Sequence, residues 1–172
     1  MAITAEVCIM REKAGMPSFF QELYRERTPM KITQLSVFLE NKPGHIGKAV
    51  AVLAKNNINL VTLSLADTEQ FGILRLIVKD WERARDVLQE AGFMVKTTDM
   101  LAIEVNDRPG GLSAILASLE KEELNIEYMY AFTAHRDSSA VLLFRFADPD
   151  AAVKALQNNP DVSLINRGEL FK

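Results

Sequence analysis

The sequence predicts an α+β protein made of two copies of one unit, each in the order strand, helix, strand, strand, helix, strand. Two observations carry this prediction. Asn41-Lys42-Pro43-Gly44 aligns with Asp107-Arg108-Pro109-Gly110 at an offset of 66 positions, from 41 to 107, and the match continues without a gap for about two dozen residues. Each Pro-Gly pair is also followed by apolar residues at helical spacing and then by strand-like segments.

In the first copy, an opening strand at 32–40 leads to the Pro-Gly pair, and a helix begins directly after it. The residues on the apolar stripe of that helix are Ile46, Ala49, Val50 and Leu53. Strands at 60–66 and 73–78 come next. A second helix follows, with its apolar positions at Trp81, Ala84, Leu88 and Ala91. A last strand after Gly92 completes the unit.

The second copy repeats this order. Its opening strand is at 101–105, and the apolar stripe of its first helix consists of Leu112, Ile115, Leu116 and Leu119. Strands at 126–133 and 140–146 follow, joined by a hairpin around 135–139 that is two residues longer than in the first copy, since the offset becomes 68 there. Asp148-Pro149 starts a second helix, and a last strand follows Pro160. Both copies therefore match the ferredoxin-like split βαββαβ unit, with the helices on one face of an antiparallel sheet.

The other face of each predicted sheet is only partly polar. Ile73 and Ile77 share it with Arg75, and Val141 and Leu143 share it with Arg145. Uncovered apolar surface favours association, so we expect contact between the units or between chains, and at least a homodimer.

The composition argues against several classes of protein. Lys and Arg total 20 and Asp and Glu total 23, which gives a net charge of -3 and no basic surface for nucleic acid. No segment is long and apolar enough to span a membrane, and no secretory signal is evident, so we expect a cytoplasmic protein. Because Cys8 is the only cysteine, neither an intramolecular disulfide nor a cysteine-rich zinc site is expected.

Residues 1–29 lie outside the repeat, and we place the first unit at 30–98 and the second at 99–172. The spacing of Ser18 and Gln21 fits a capping box, which predicts a short helix at 18–26. Three interpretations are open for this extension. It is a docking or dimerising arm, a flexible extension, or a wrongly assigned start preceding the true start at Met30. We favour the flexible extension.

The Pro-Gly turns are the candidate ligand sites. The first turn of the following helix has backbone N–H groups without intrahelical partners, at Gly44 to Ile46 and at Gly110 to Leu112, and this arrangement suits a carboxylate. Asn41 can donate or accept a hydrogen bond, and Asp107 can accept from an ammonium group. Together these groups suit the backbone of an amino acid. The alternative is that Asn41 and Asp107 cap the local backbone, as Asx side chains often do.

The strands that follow supply candidate walls for such a site. Asn59 and Asn125 coincide in the repeat and are the second choice as ligand-binding residues. The alternative is that they cap a strand edge. Further candidates in the same strands are Ser64, Tyr128 and Tyr130.

Two sets of motifs carry a family resemblance. Asn-Lys-Pro-Gly-His-Ile with Asn-Ile-Asn-Leu, and Asp-Arg-Pro-Gly-Gly-Leu with Leu-Asn-Ile-Glu-Tyr-Met-Tyr-Ala-Phe, resemble two consecutive ACT domains over residues 30–172. The chain is most similar to small stand-alone bacterial proteins that consist of two such domains.

The resemblance implies a regulatory, non-catalytic module that binds an amino acid and needs no cofactor. It also implies that the two units pair their sheets side by side and hold a ligand between a Pro-Gly loop and a neighbouring unit. The loop positions carried over are Asn41, Gly44, His45 and Ile46 in the first copy and Asp107, Gly110, Gly111 and Leu112 in the second. Because His45 aligns with Gly111, the two loops need not bind equally well. An unidentified metabolic enzyme is a candidate partner.

Competing functions have less support. Cys8 has no adjacent His or Asp, and His45 and His135 occupy unmatched positions, which argues against a nucleophile, an acid–base pair or a metal site. RNA-recognition units need aromatic residues on a basic open face, whereas Phe144 and Phe146 fall on the predicted helix-covered face. The main alternative is an interaction or oligomerisation module whose Pro-Gly loops bind no small molecule.

Overall fold

The computed structural model describes residues 30–67, 71–136 and 139–171, although the side chains of 67 and 133–136 are not described. The predicted helix at 18–26, Cys8 and the tip of the second hairpin lie outside these residues, as does the side chain of His135. No helix within the described ranges is long and apolar enough to cross a membrane.

The described elements follow the predicted order. In the first part of the chain they are β1 (Lys31–Glu40), α1 (His45–Lys55), β2 (Leu60–Asp67), β3 (Phe71–Val78), α2 (Trp81–Glu90) and β4 (Met94–Asn106). In the second part they are α3 (Gly111–Lys121), β5 (Ile126–Arg136), β6 (Ser139–Phe146), α4 (Pro149–Leu156), β7 (Ser163–Ile165) and α5 (Arg167–Leu170). The α+β class and the two βαββαβ units are confirmed.

One strand serves both units. The sequence suggested a last strand for the first unit and a separate opening strand for the second, but β4 is continuous over 13 residues. Its first half pairs antiparallel with β1, from Phe38↔Met94 to Lys31↔Leu101. Its second half pairs antiparallel with β6 and with β7. The proposed domain boundary at 98/99 therefore falls inside a strand.

The strands form a single sheet in the order β2-β3-β1-β4-β6-β5, with β7 beside β4. The two units are thus joined edge to edge through β4. The outermost strands, β2 and β5, also contact each other, so the sheet curls until its two ends meet.

Each unit has its own core beneath its helices. In the first unit, Leu35 and Val37 of β1 pack with Leu53 of α1 and Leu88 of α2. In the second, Phe144 and Phe146 are buried and their ring centroids lie 5.9 Å apart. The prediction that these two phenylalanines are core residues is confirmed.

The helix-free faces of the two units pack against each other within the chain. Ile32, Ile77 and Met100 of the first unit share a buried cluster with Val141 and Leu143 of the second. The apolar residues that led us to expect association are therefore partly covered without a second chain. The homodimer remains a prediction.

A buried polar network crosses this interface. Gln34 is fully buried, and its Nε2 donates to Ser36 Oγ and to Tyr128 OH, each at 3.0 Å. Tyr130 OH donates to Gln34 Oε1 at 2.9 Å. Burial raises the pKa of Tyr130 above its usual range, so the phenol stays protonated and donates. Tyr128 and Tyr130 thus hold the two units together instead of lining a Pro-Gly loop.

Candidate functional site

The two Pro-Gly loops have the same backbone conformation. Gly44 has φ 86° and Gly110 has φ 87°, both in the left-handed region, and each immediately precedes a helix. Glycine adopts this conformation without a steric penalty. The local hydrogen bonds also repeat at the offset of the sequence repeat, with Lys42 N donating to Glu40 O at 2.8 Å and Arg108 N donating to Asn106 O at 2.9 Å.

No side chain caps the helices that follow these loops. Among the described residues, neither α1 nor α3 receives a hydrogen bond from a side-chain cap, and Asn41 and Asp107 are exposed. The alternative in which these two residues cap the local backbone therefore has no support in the structure. The predicted sets of free N–H groups need one correction each, because His45 N donates to Lys42 O at 3.3 Å and Gly111 N donates to Arg108 O at 3.0 Å. The N–H groups of Ile46 and Leu112, the next along each helix, remain available to an external acceptor.

The other helices in the described ranges are capped by side chains. Asp80 accepts from Arg83 N at 3.3 Å, Asp148 accepts from Ala151 N at 3.0 Å, and Asn166 accepts from Glu169 N at 3.0 Å. Among the helices that the structure describes, the uncapped starts are therefore those of the Pro-Gly loops. A free helix start carries partial positive charge and suits a carboxylate.

The second loop opens into a cavity of about 850 Å³. On the loop side, the cavity is lined by Arg108, Gly110 and Gly111. On the opposite side it is lined by Glu104 of β4, Ser139 of β6 and the connection from α4 to β7, at 157–163. Ser139 Oγ donates to Glu104 Oε1. The cavity therefore contains backbone donors, a guanidinium and carboxylates.

The start of α3, in the second loop, packs tightly against the end of β4. A Cβ atom on Gly111 would lie 2.0 Å from the carbonyl oxygen of Asn106, a separation that a real side chain cannot adopt. The equivalent residue in the first loop is His45, whose side chain is half-buried. The end of β4 thus approaches its helix closely, and only glycine fits there.

The charged groups of the two loops also differ. In the first loop, Lys42 Nζ lies 2.6 Å from Glu40 Oε2, and the hydrogen bond from Lys42 lowers the pKa of the Glu40 carboxyl. The equivalent positions in the second loop are Asn106 and Arg108. Within the described residues, Arg108 forms no ion pair, so its guanidinium remains available at the cavity.

The predicted site residues are only partly brought together. Gly110 and Gly111 line the cavity at the second loop, whereas Asp107 does not. Leu112 packs against the core of the second unit. In the first loop, Ile46 is 42% exposed. The ligand-binding role of these residues stays a prediction.

Asn59 and Asn125 are exposed and directly precede β2 and β5. Each lies at the far end of an 11-residue helix from its own Pro-Gly glycine, a separation of about 16 Å at 1.5 Å per residue. Within one unit, therefore, the asparagine and the glycine do not share a site. Asn59 instead lines a separate cavity of about 490 Å³ that includes Leu170 and Phe171 near the end of the chain.

Sequence reasoning missed the far wall of the second-loop cavity. Ser139 and the 157–163 connection are distant in sequence from the Pro-Gly pair and reach it only through the pairing of β4 with β6 and β7. Glu104 lies near the end of β4, close to the loop in sequence, but was not predicted. A last strand was predicted after Pro160, but the place of the preceding connection in the fold was not. The described residues contain no cluster of three or more His, Cys, Asp or Glu side chains arranged to hold a metal ion.

A family model described as "ACT domain pair" matches residues 30–172. The chain belongs to this family. This confirms the resemblance drawn from the Pro-Gly motifs. None of the curated proteins compared with this ACT domain pair matches it.

Solved structures agree with this membership. Protein BT0572 from Bacteroides thetaiotaomicron is 38% identical, with a TM-score of 0.76, over 83% of this chain and 97% of that one. The regulatory subunits of aspartate kinase from Thermus thermophilus and Thermus flavus are each 14% identical, with TM-scores of 0.55 and 0.53. The first match covers 74% of this chain and 92% of that one, and the second covers 83% and 94%. At that identity, the two Thermus proteins show a shared fold.

Proposed function

We propose that this ACT domain pair is a non-catalytic regulatory module that binds an amino acid at its Pro-Gly loops. The observation that carries the proposal is the uncapped start of α1 and α3, next to glycines held in the left-handed region. Asp80, Asp148 and Asn166 cap the other helices that the structure describes. An acceptor from outside the chain would satisfy the free N–H groups.

The second loop is the better equipped of the two for a zwitterion. The N–H groups at the start of α3 and the guanidinium of Arg108 offer donors to a carboxylate. Across the cavity, Glu104 and Asp161 offer carboxylates to an ammonium group. Because the cavity is open to solvent, a neighbouring unit of a homodimer would supply the remaining wall and select the ligand's side chain.

The regulatory role is a proposal by analogy of fold. Two proteins that share the fold are named as regulatory subunits of aspartate kinase. We extend regulation from them to this chain, with a cytoplasmic metabolic enzyme as the partner that receives the signal. The ligand's chemical class comes from the loop geometry and not from these relatives.

A second candidate function is a protein-interaction module with empty loops. Leu63 and Leu65 are 50% and 48% exposed on β2, an outer strand of the sheet. Apolar side chains exposed side by side on a strand form a ready surface for another chain. This alternative predicts association without any response to amino acids.

The test is thermal melting of the protein with each common amino acid at millimolar concentration. A ligand present at a hundredfold excess over its Kd stabilises the native state by roughly 2.7 kcal/mol, so one or a few related amino acids should raise the melting temperature. The variants Gly44→Val and Gly110→Val should together abolish this shift. The interaction module is favoured instead if a folded, oligomeric protein shows no shift with any of them.

Gly92→Val is the matched control. Gly92 also has a positive φ, of 88°, and no atom lies within 4 Å of its added Cβ, as at Gly44 and Gly110. It lies between α2 and β4, away from both Pro-Gly loops. Its variant therefore carries the same backbone strain but should keep the full ligand-induced shift.

A further inference from the structure

A second cavity lies between the two units and is lined by residues from both faces of the sheet. Its volume is about 640 Å³, and its lining includes Ser36, Arg75 and Lys96 of the first unit and Tyr128 and Arg145 of the second. It shares no lining residue with the cavity at the second Pro-Gly loop. Whatever it binds is therefore separate from the amino acid proposed above.

Arg75 is an incompletely satisfied cation in this cavity. Its Nε atom is buried and has no hydrogen-bond partner. Its guanidinium carbon lies 4.4 Å from the centroid of the Tyr128 ring, which stabilises the charge without neutralising it. No carboxylate within the described residues forms an ion pair with Arg75. A buried N–H group of a cation that has no acceptor destabilises the folded protein, and a bound anion would supply the acceptor.

Lys96 supplies a second cation on the same face. Ser36 of β1 pairs with Lys96 of β4 on one side and with Arg75 of β3 on the other, and residues directly opposite on paired strands project to the same face. At about 4.8 Å between neighbouring strands, the Cα atoms of Arg75 and Lys96 are roughly 10 Å apart. Lys96 is exposed and forms no ion pair in the described part of the chain.

Two hydroxyl groups of the cavity are oriented by Gln34. The amide nitrogen of Gln34 donates to both Ser36 Oγ and Tyr128 OH, so each hydroxyl already accepts a hydrogen bond and keeps its own hydrogen to donate. The cavity thus presents two cations and two hydroxyl donors.

The acidic residues of the cavity are already engaged. Glu127 Oε2 lies 3.1 Å from Arg145 Nε, and Asp99 and Asp150 each lie 3.0 Å from Lys31 Nζ. Asp99 also sits at an odd position of β4, paired with Thr33, so it projects to the face opposite Lys96. Lys31 and Arg145 together offset two of these three carboxylates. With Arg75 and Lys96 the net charge around the cavity is therefore positive, and these two are its cations without an ion-pair partner among the described residues.

We infer that this cavity is a second ligand site, for a small dianion. The dianion is either a short dicarboxylate, with one carboxylate at Arg75 and the other at Lys96, or a phosphate group held by both cations. Ser36 and Tyr128 donate to its oxygens. Because the lining comes from both units, a bound dianion joins the helix-free face of the first unit to that of the second.

The test is calorimetric titration of the full chain at fixed ionic strength with succinate, inorganic phosphate and acetate. Succinate or phosphate should bind at least about tenfold more tightly than acetate, because a dianion meets both cations. Tighter binding of succinate assigns a dicarboxylate, and tighter binding of phosphate assigns a phosphoryl group. No binding of either dianion, or equal binding of acetate, overturns the inference.

Matched variants locate the site. Lys96→Gln and Arg75→Gln should each weaken binding of the dianion by about tenfold or more, whereas Lys55→Gln, which removes an exposed charge at the end of α1, should leave it within about twofold. Lys96 is exposed, so its variant should keep the fold, as a melting curve will show. An unchanged Kd for Lys96→Gln overturns the assignment even if Arg75→Gln fails to fold.

Discussion

The first Pro-Gly loop, before α1, and the second, before α3, have glycines at φ 86° and 87° and the same internal hydrogen bonds. Around this common turn, the first loop carries His45 and an ion pair between Glu40 and Lys42. The second carries Gly111, an unpaired Arg108 and a cavity of about 850 Å³. The comparison indicates that the repeat preserves the backbone that presents N–H donors, while the side chains around it have diverged. Two equal turns therefore need not be two equal sites.

The largest expected effect is on stability, and it differs between Gly111 and His45, the equivalent residue of the first loop. Gly111→Ala should lower the free energy of unfolding by about 3 kcal/mol or more, because its Cβ would overlap the carbonyl oxygen of Asn106. His45→Ala, at the equivalent position, should change it by about 0.5 kcal/mol or less. Urea denaturation of both variants measures the difference. Equal losses would mean that the second helix start is not more tightly packed than the first.

The second-largest expected effect is the loss of stability when the glycine of the Pro-Gly turn is replaced, and it should be the same in both loops. Gly44→Ala and Gly110→Ala should each cost about 1 to 2 kcal/mol of unfolding free energy, because a non-glycine residue is strained at this φ although no atom blocks the added Cβ. The same denaturation experiment measures both. A clear difference between the two variants would show that the turns are not equivalent.

The two loops should also differ in how strongly a substitution of their basic residue weakens ligand binding. Arg108→Gln should weaken binding of the amino acid identified by thermal melting by about tenfold, since it removes a charge-assisted donor from the cavity. Lys42→Gln should weaken it by about twofold at most, because Lys42 is already paired with Glu40. Calorimetric titration gives both dissociation constants. If Lys42→Gln has the larger effect, the first loop is the principal site.

The smallest effect is the titration of Glu40. Its pKa is lowered by Lys42, so the stabilisation from this pair is present above the unfolded-state pKa and is lost as the pH falls through the folded-state pKa. Lys42→Gln should return the pKa towards its ordinary value without a measurable change in melting temperature at neutral pH, because the pair is exposed. Carbon-13 NMR of the Glu40 carboxyl group follows the change. Arg108→Gln is the control and should leave the Glu40 titration unchanged.

Much of the fold could be predicted from the sequence because the order of its elements depends on local patterns. The Pro-Gly repeat and the helical spacing of residues such as Ala49 and Leu53 correctly predicted the order of elements, and both residues are buried. The continuity of β4 was missed, although no Gly or Pro interrupts 94–106. The contact between the helix-free faces was expected only in general terms. The role of Gln34 there depends on residues about 95 positions away in sequence, in β5, and no local pattern indicates such a pairing.

For the candidate site too, the local features could be predicted from the sequence and the tertiary contacts could not. Positive φ at Gly44 and Gly110 follows from the Pro-Gly turn, and the structure has it at both. The steric requirement for Gly111 depends on how closely the end of β4 approaches α3, which is a tertiary distance. The position of Ser139 on the far wall likewise depends on the pairing of β4 with β6. Asn59 and Asn125 were placed near the site because the repeat aligns them, but a full helix separates each from its glycine.

The most direct test of the central claim is an NMR titration of ¹⁵N-labelled protein with each of the common amino acids. If the uncapped helix starts bind a carboxylate, one or a few amino acids should shift the amide resonances of Gly110 and Leu112 strongly, with weaker shifts at Gly44 and Ile46. The Gly110→Val variant should lose the shifts at the second loop. Saturable shifts confined to other parts of the chain, with both loops unmoved, would contradict the account.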